Sequence, residues 1–260
     1  RPKKQFQILG ADVSGTILSV GESVENFNVN DAVFVILGGI PGGGYAEQIV
    51  VDASQVALIP KSLDFQKAAA VPLTGLTAFQ GFLEANIQHN QRILINGASG
   101  GVGVFALQIA KAYHAKVTAV CSQQNVEFVQ NLGADSVIDY QQEDFTKTTQ
   151  TFDIIFDAVG NQSFQKVKAI LADKGVYITT IPNPISLLQS KILPYFTNKR
   201  VVSIITKNSG EDLKNLAKLI DAHQFQIPID AEFPLKNAAA AHDYSETGRV
   251  KGKLVLRVLG

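Results

Sequence analysis

Apolar positions change rhythm near residue 75. Before it, short β-branched runs alternate with turns: GTILSV, GESVENFNVND and AVFVIL, then the glycine-rich IPGGG, then YAEQIVV. Runs this short, punctuated by Gly, Asn and Pro, predict a compact and mostly β unit. After it, strand-length apolar runs alternate with segments of helical period. Strands are expected at 92–96, 116–121, 135–139, 152–157, 176–181 and 200–206, and helices at 101–113, 126–132, 163–171 and 211–223. The first helix sets Val102, Phe105, Ala106, Ile109 and Ala110 on one face. Such β-α alternation with nearly all-apolar strands means an α/β fold whose parallel sheet is covered on both faces. From about Phe225 the turn-rich pattern returns, contains the alanine run 238–241, and closes on a strand at 253–258. The expected domains are therefore 1–74, 75–224 and 225–260.

The stretch 94–103, LINGASGGVG, lies where the alternating region begins. Its glycines sit at a strand-to-helix turn, the place where a dinucleotide pyrophosphate binds. Gly100 lets the chain turn tightly and approach phosphate without a Cβ, and Gly103 lets the helix pack close to the strand. Amides at the helix start, near Gly101 and Val102, would face the pyrophosphate with the positive end of the helix dipole behind them, and Ser99 adds a hydroxyl. The spacing is Ala98-x-Gly100-x-x-Gly103, with alanine in place of the first glycine of the usual fingerprint. The other reading is a tight turn without a ligand.

Cofactor type should be legible about 20 residues past the glycines, where an acid commonly bonds the ribose of NAD. Residues 121–125 read CSQQN, with no acid. A 2′-phosphate is then tolerated and Ser122 can donate to it, which favours NADPH over NADH. No Arg or Lys follows directly to pair with that phosphate. Lys111 and Lys116, nearby in sequence, read as solvated charges.

Composition narrows the alternatives. The chain has 260 residues, 46% of them hydrophobic, enough for one large domain or two modest ones. Lys plus Arg and Asp plus Glu balance at 23 each, so no net positive field gathers nucleic acid or an anionic membrane. Apolar stretches are strand-sized and no secretory leader opens the chain, so a soluble cytoplasmic protein is expected. Cys121 is the single cysteine; it excludes an intrachain disulfide and a cysteine-rich zinc site, and within VTAVC it reads as a buried strand residue. The absence of methionine, even at position 1, suggests an incomplete sequence.

Seven segments together carry a family resemblance: GADVSGTILSVGESVENFNVNDAVF, GGGYAEQIVV, AAAVPLTGLTAFQGF, LINGASGGVGVFALQIAK, NLGADSVIDY, FDIIFDAVG and GRVKGKLVLRV. The chain resembles the zinc-independent quinone oxidoreductase branch of the medium-chain dehydrogenase/reductase superfamily. The resemblance implies a GroES-like β domain built from both chain ends, a Rossmann doubly wound parallel sheet between them, and a first domain that begins several tens of residues earlier. It implies pyrophosphate contacts at Ser99, Gly101 and Val102, the ribose phosphate at Ser122, and a further contact at Tyr140. Ala158, Val159 and Thr180 would border the nicotinamide half, as the crevice rule for open sheets also predicts. Arg249, Val250 and Lys251, in GRVKGK, match a segment that reaches the cofactor; otherwise they form a charged hairpin. Thr74 is a candidate to line the substrate site or, alternatively, to cap a helix. Dimerisation through the edge strand 200–206 is implied as well.

Zinc-dependent relatives have Gly-His-Glu-x-x-Gly where this chain has GADVSG, residues 10–15, so the histidine ligand is replaced. His89, His114, His223 and His242 are far apart in sequence, without ligand spacing. Without a metal, and without a Ser-Tyr-x-x-x-Lys arrangement, alcohol oxidation lacks a group to polarise oxygen. Hydride delivery to a quinone or an enone needs only hydrogen bonds to the developing oxyanion and a solvent proton. The catalytic residues themselves are not identified. Two alternatives stay open: a nucleotide-binding sensor or structural protein without turnover, and an enoyl-thioester reductase.

Overall fold

The computed structural model describes residues 8–38 and 42–258. In chain order it contains β1 (Asp12–Thr16), β2 (Ala32–Ile36), β3 (Val56–Leu58), α1 (Phe65–Ala69), α2 (Pro72–Ala85), β4 (Arg92–Asn96), α3 (Gly101–Ala112), β5 (Lys116–Cys121), α4 (Val126–Asn131) and β6 (Ser136–Asp139). There follow β7 (Phe152–Asp157), α5 (Phe164–Val167), β8 (Leu171–Thr179), α6 (Pro184–Ile192), β9 (Arg200–Ser203), α7 (Gly210–His223), β10 (Ile229–Pro234), α8 (Ala238–Glu246) and β11 (Lys253–Arg257). The chain divides into two compact units, residues 1–76 with 207–260, and residues 77–206.

The 77–206 unit is a six-stranded sheet in the order β6-β5-β4-β7-β8-β9, every pair parallel. Its central strands are apolar runs because both faces are covered: Ile93, Leu94 and Ile95 of β4 and Ile154, Ile155 and Phe156 of β7 have no exposed surface. Fully burying a side chain of that size contributes about 1.5–3 kcal/mol, so these six residues form the strongest part of the unit's core. One face packs Leu94, Val120, Ile155 and Tyr177 with Phe164, Val167 and Phe145. On the other, Gly81 brings α2 close, since a Cβ there would lie 3.0 Å from Phe156. The order reverses direction between β4 and β7, and a ligand crevice opens at the carboxyl ends of two strands so related.

The other unit holds an antiparallel sheet β1-β2-β3 and a separate parallel pair, β10-β11. Helix α7 belongs here, not with the parallel sheet as the boundary at 224 anticipated. Gly210 at its start abuts the carbonyls of Ser54 and Val56, and Asp221 accepts hydrogen bonds from the Lys61 and Ser62 amides. Its apolar face, Leu213, Leu216 and Ile220, is buried.

Several local expectations are corrected. GTILSV is not a strand throughout: β1 ends at Thr16, and Leu18 is exposed. The run 45–51, YAEQIVV, contains no strand. The helix expected at 163–171 is only Phe164–Val167, after which β8 begins at Leu171. Residues 184–192, for which no helix was expected, form α6, started by a capping box in which Asn183 and Ser186 bond each other's backbone. The alanine run is the start of α8. Residues 39–41, at the start of the glycine-rich IPGGG stretch, lie outside the described residues.

Candidate functional site

The turn between β4 and α3 is shaped by backbone approach. Gly97 has φ +79°, and a Cβ on it would meet Val159 Cγ2 at 2.5 Å. A Cβ on Gly103 would run into the Gly97 carbonyl and come within 2.7 Å of Ala98 Cα. Gly100 occupies the cap position without any side-chain cap, so the first amides of α3 are left for another acceptor. The Gly97 and Ala98 amides donate to the Val120 carbonyl, which ties the turn to β5. A cradle closed to Cβ atoms, with uncapped amides at the head of a twelve-residue helix, fits a dinucleotide pyrophosphate. Ser99, Gly101 and Val102 are half-buried in it.

The turn after β7 stands opposite. Asp157 is wholly buried, and five donors converge on it. Asn96 Nδ2 at 2.8 Å, Gly160 N at 2.9 Å and Val159 N at 3.3 Å donate to Oδ1, while Tyr177 OH at 2.9 Å and Gln162 N at 3.0 Å donate to Oδ2. Burial, with the Asp157 charge beside it, pushes the Tyr177 phenol far above its ordinary range, so it remains a donor. Thr180 Oγ1 donates to the Asp157 and Ala158 carbonyls, both at 3.3 Å. The fold thus brings Gly97, Ala158, Val159 and Thr180 together at the switch point between β4 and β7. Asp157 and Asn96, which hold this arrangement, were not singled out in the sequence; a charged residue ending an apolar strand was the available signal.

At the end of β5, Ser122 is buried and Tyr140 exposed. Asn125, closing the 3-10 turn Gln123–Asn125, donates through Nδ2 to Ser99 Oγ at 3.0 Å and Ser122 Oγ at 3.4 Å. This side chain links the two positions that the sequence assigned separately to pyrophosphate and ribose. Lys111 is held elsewhere, its Nζ 2.8 Å from Asp135 Oδ2 and 3.1 Å from the Ala115 carbonyl. Burial pushes the Cys121 thiol up to about 11, with the Asp139 charge adding to it, so Cys121 is an unreactive strand residue.

The remaining candidates lie in the other unit. Arg249, Val250 and Lys251 form the turn from α8 into β11, stabilised by Arg249 N on Thr247 Oγ1 and Lys251 N on Asp230 Oδ2. It is not a hairpin, because β11 pairs parallel with β10. Thr74 is inside α2 and no cap; its hydroxyl donates to the Ala70 carbonyl at 3.2 Å. Asp12, from GADVSG, accepts from Leu73 N at 2.8 Å and pairs with Lys253 Nζ at 3.1 Å. Among the described residues no three His, Cys, Asp or Glu side chains converge as metal ligands. His89 and His114, distant in sequence, have adjacent rings 5.6 Å apart, at the end of the sheet away from the glycine turn. No helix among the described residues is long and apolar enough to cross a membrane.

Comparison with known proteins adds to this geometry. Residues 1–61 match the alcohol dehydrogenase GroES-like domain and residues 132–256 the zinc-binding dehydrogenase family. The chain is 34% identical over 280 residues to the human mitochondrial NAD(P)H oxidoreductase RTN4IP1, covering 96% of this chain and 70% of that protein. It is 30% identical over 266 residues to the chloroplast envelope quinone oxidoreductase homolog of Arabidopsis thaliana, covering 98% and 81%. The quinone oxidoreductase structure from Coxiella burnetii superposes with a TM-score of 0.85 at 31% identity, over 96% of this chain and 79% of that one.

Proposed function

We propose, for a chain that belongs to the quinone oxidoreductase-like branch of the medium-chain dehydrogenase/reductase superfamily, that it is an NAD(P)H oxidoreductase reducing quinones or activated enones without a metal. The cradle at 97–103, closed to Cβ atoms and facing Val159 across the switch point, is the observation that carries the reading. Ser99, the Gly101 and Val102 amides and the helix behind them would hold the pyrophosphate. Ser122, Asn125 and Tyr140 would border the adenosine, and Ala158, Val159 and Thr180 the nicotinamide. Arg249, Val250 and Lys251 are proposed as further cofactor contacts, and Thr74 as a substrate-lining residue.

When bound, a reduced nicotinamide supplies a hydride for a conjugated acceptor. The chain's own residues orient and exclude. The Asp157 hydrogen bonds fix the 158–160 turn, which would border a bound nicotinamide, and Thr180 Oγ1 donates to the Asp157 and Ala158 carbonyls. Solvent provides the proton. Zinc has no place in this scheme because Ala11 stands where the ligand histidine of zinc-dependent relatives would be. The zinc-binding description of the matching family then reflects ancestry. A homodimer through β9 is proposed too, since β9 is the sheet's edge and α6, which packs on it, exposes Ile185 and Leu188. The relatives' names place them in mitochondria and chloroplasts, which gives a cytoplasmic location no support.

The test is oxidation of NADPH and NADH, followed at the nicotinamide absorbance, against quinones and enones with and without a chelator. Chelator-insensitive turnover is expected. Binding without turnover on every acceptor overturns the enzyme reading in favour of a sensor, and turnover abolished by the chelator overturns the metal-free mechanism.

A further inference from the structure

The unit formed by residues 1–76 and 207–260 holds a cavity of about 380 Å³ that takes no part in the scheme above. Ser62, Leu63 and Lys67 line one side of it, and residues 224–228, the chain leaving α7, line the other. The end of α7 shapes this second side. Gln224 takes the left-handed conformation, with φ +53°, and Phe225 N returns to the Ile220 carbonyl at 3.2 Å. Beyond that turn Phe225 and Ile227 are buried, as is Leu63 opposite them in the lining, so the cavity has an apolar base. Asp221, in the last turn of α7, fastens the two sides together. It accepts from Lys61 N and Ser62 N, both at 3.0 Å, and from Ser62 Oγ at 2.7 Å. The cavity is thus preformed, which lowers the ordering cost of filling it.

Its polar groups are unequal. The Ser62 hydroxyl is committed to Asp221, and Gln224 Nε2 donates to the Asp221 carbonyl at 2.7 Å. Lys67 bonds Asp64 Oδ1 through its backbone amide at 2.8 Å, but its ammonium forms no ion pair or hydrogen bond among the described residues. No carboxylate lines the cavity. The acids nearest in sequence, Asp64 and Asp221, already accept amide and hydroxyl hydrogens. One unpaired cation beside buried apolar side chains selects a molecule with a single negative end and an apolar body, and the volume is that of a small-ligand cleft. An ammonium meets a carboxylate as a point charge with three donors. We propose that this cavity binds a small monocarboxylate with an aryl or short alkyl body, at a site separate from the dinucleotide cradle of residues 97–103. The inference does not depend on the dinucleotide reading.

Backbone amide shifts of the intact chain, followed during titration with benzoate, hexanoate and benzyl alcohol, test it. Both acids are expected to saturate below about 10 mM and to move the amides of residues 62–67 and 224–227. Benzyl alcohol, with the same ring and no charge, is expected to bind about tenfold more weakly, the loss of one charge-assisted hydrogen bond. Lys67→Gln should bring benzoate to the level of the alcohol and leave the alcohol itself unchanged, which general loosening of the fold would not do. Acids that fail to saturate below that concentration, equal affinity for benzoate and benzyl alcohol, or shifts confined to other residues overturn the inference. So does a Lys67→Gln variant that binds benzoate as the parent does. The parent's comparison of acid with alcohol decides the matter even where the variant does not fold, and a separate NADH titration reads the dinucleotide site independently.

Discussion

Replacing Asp157 by Asn tests whether the 158–160 turn is held by one carboxylate. The substitution preserves shape but converts one of two acceptors into a donor. If the new NH2 takes the Oδ2 position, it faces Gln162 N and Tyr177 OH, both donors. Tyr177 can fall back on the Gln162 carbonyl at 3.0 Å, whereas Gln162 N is left without an acceptor. The opposite orientation is worse, since Asn96, Val159 and Gly160 all donate to Oδ1. At about 1–3 kcal/mol for each buried donor left unmet, the net cost is about 2–4 kcal/mol. With about 2–4 °C per kcal/mol in a chain of this size, the thermal midpoint should fall by roughly 4–16 °C. Tyr177→Phe removes one donor and leaves the carboxylate four, so it should cost only about 1 kcal/mol. Unfolding followed by circular dichroism gives the first quantity, and nicotinamide fluorescence shows whether binding falls with it. A melt of Asp157→Asn within about 1 °C of the parent, or lower than Tyr177→Phe by nothing measurable, would refute the reasoning.

Two further outcomes follow from the same unit. Gly103→Ala should destabilise by about 1–3 kcal/mol and weaken dinucleotide binding more than tenfold in a fluorescence titration, because the new methyl has only the rigid Gly97–Ala98 backbone to displace; unaltered binding would mean the cradle is not the pyrophosphate site. Burial raises the Asp135 carboxyl, but hydrogen bonds from Lys111 and Val117 N outweigh it and hold the group below its ordinary range. The stability it contributes is complete above the unfolded value of about 3.9 and is lost as pH falls through the lower folded value. Denaturant midpoints measured from pH 6 down to pH 3 should therefore decline less steeply in Asp135→Asn than in the parent.

The parallel sheet was legible because its strands carry their environment in their composition. ILIN, VTAVC and FDIIFD are apolar on both faces, and only a doubly covered sheet accommodates that. Helix α3 was legible for the same reason, with one continuous apolar face. Helix α6 was missed because Ile185, Leu187, Leu188 and Ile192 spread its apolar residues around an exposed surface; the readable sign was at its end, Asn183-Pro184 followed by Ser186. Helix α7 was read as a helix and assigned to the wrong neighbour. An amphipathic stripe says that a face is buried but not against what, and here the partner is the β3 region some 150 residues earlier in the chain.

The candidate site divides along the same line. Residues whose role is local, such as Gly100 and Gly103, are set by turn geometry within a few positions, so spacing alone reaches them. Residues whose role depends on strand pairing are not reached that way. Asp157 acts with Asn96, 61 residues before it, and Tyr177, 20 residues after it. Asp139 sits beside Cys121 only because β5 and β6 pair in that register. Searching for an acid along β5 finds none; the nearest one lies across the sheet, at the end of the adjacent strand. That placement is specified by a register, and one residue of slip between β5 and β6 would turn the Asp139 side chain to the opposite face.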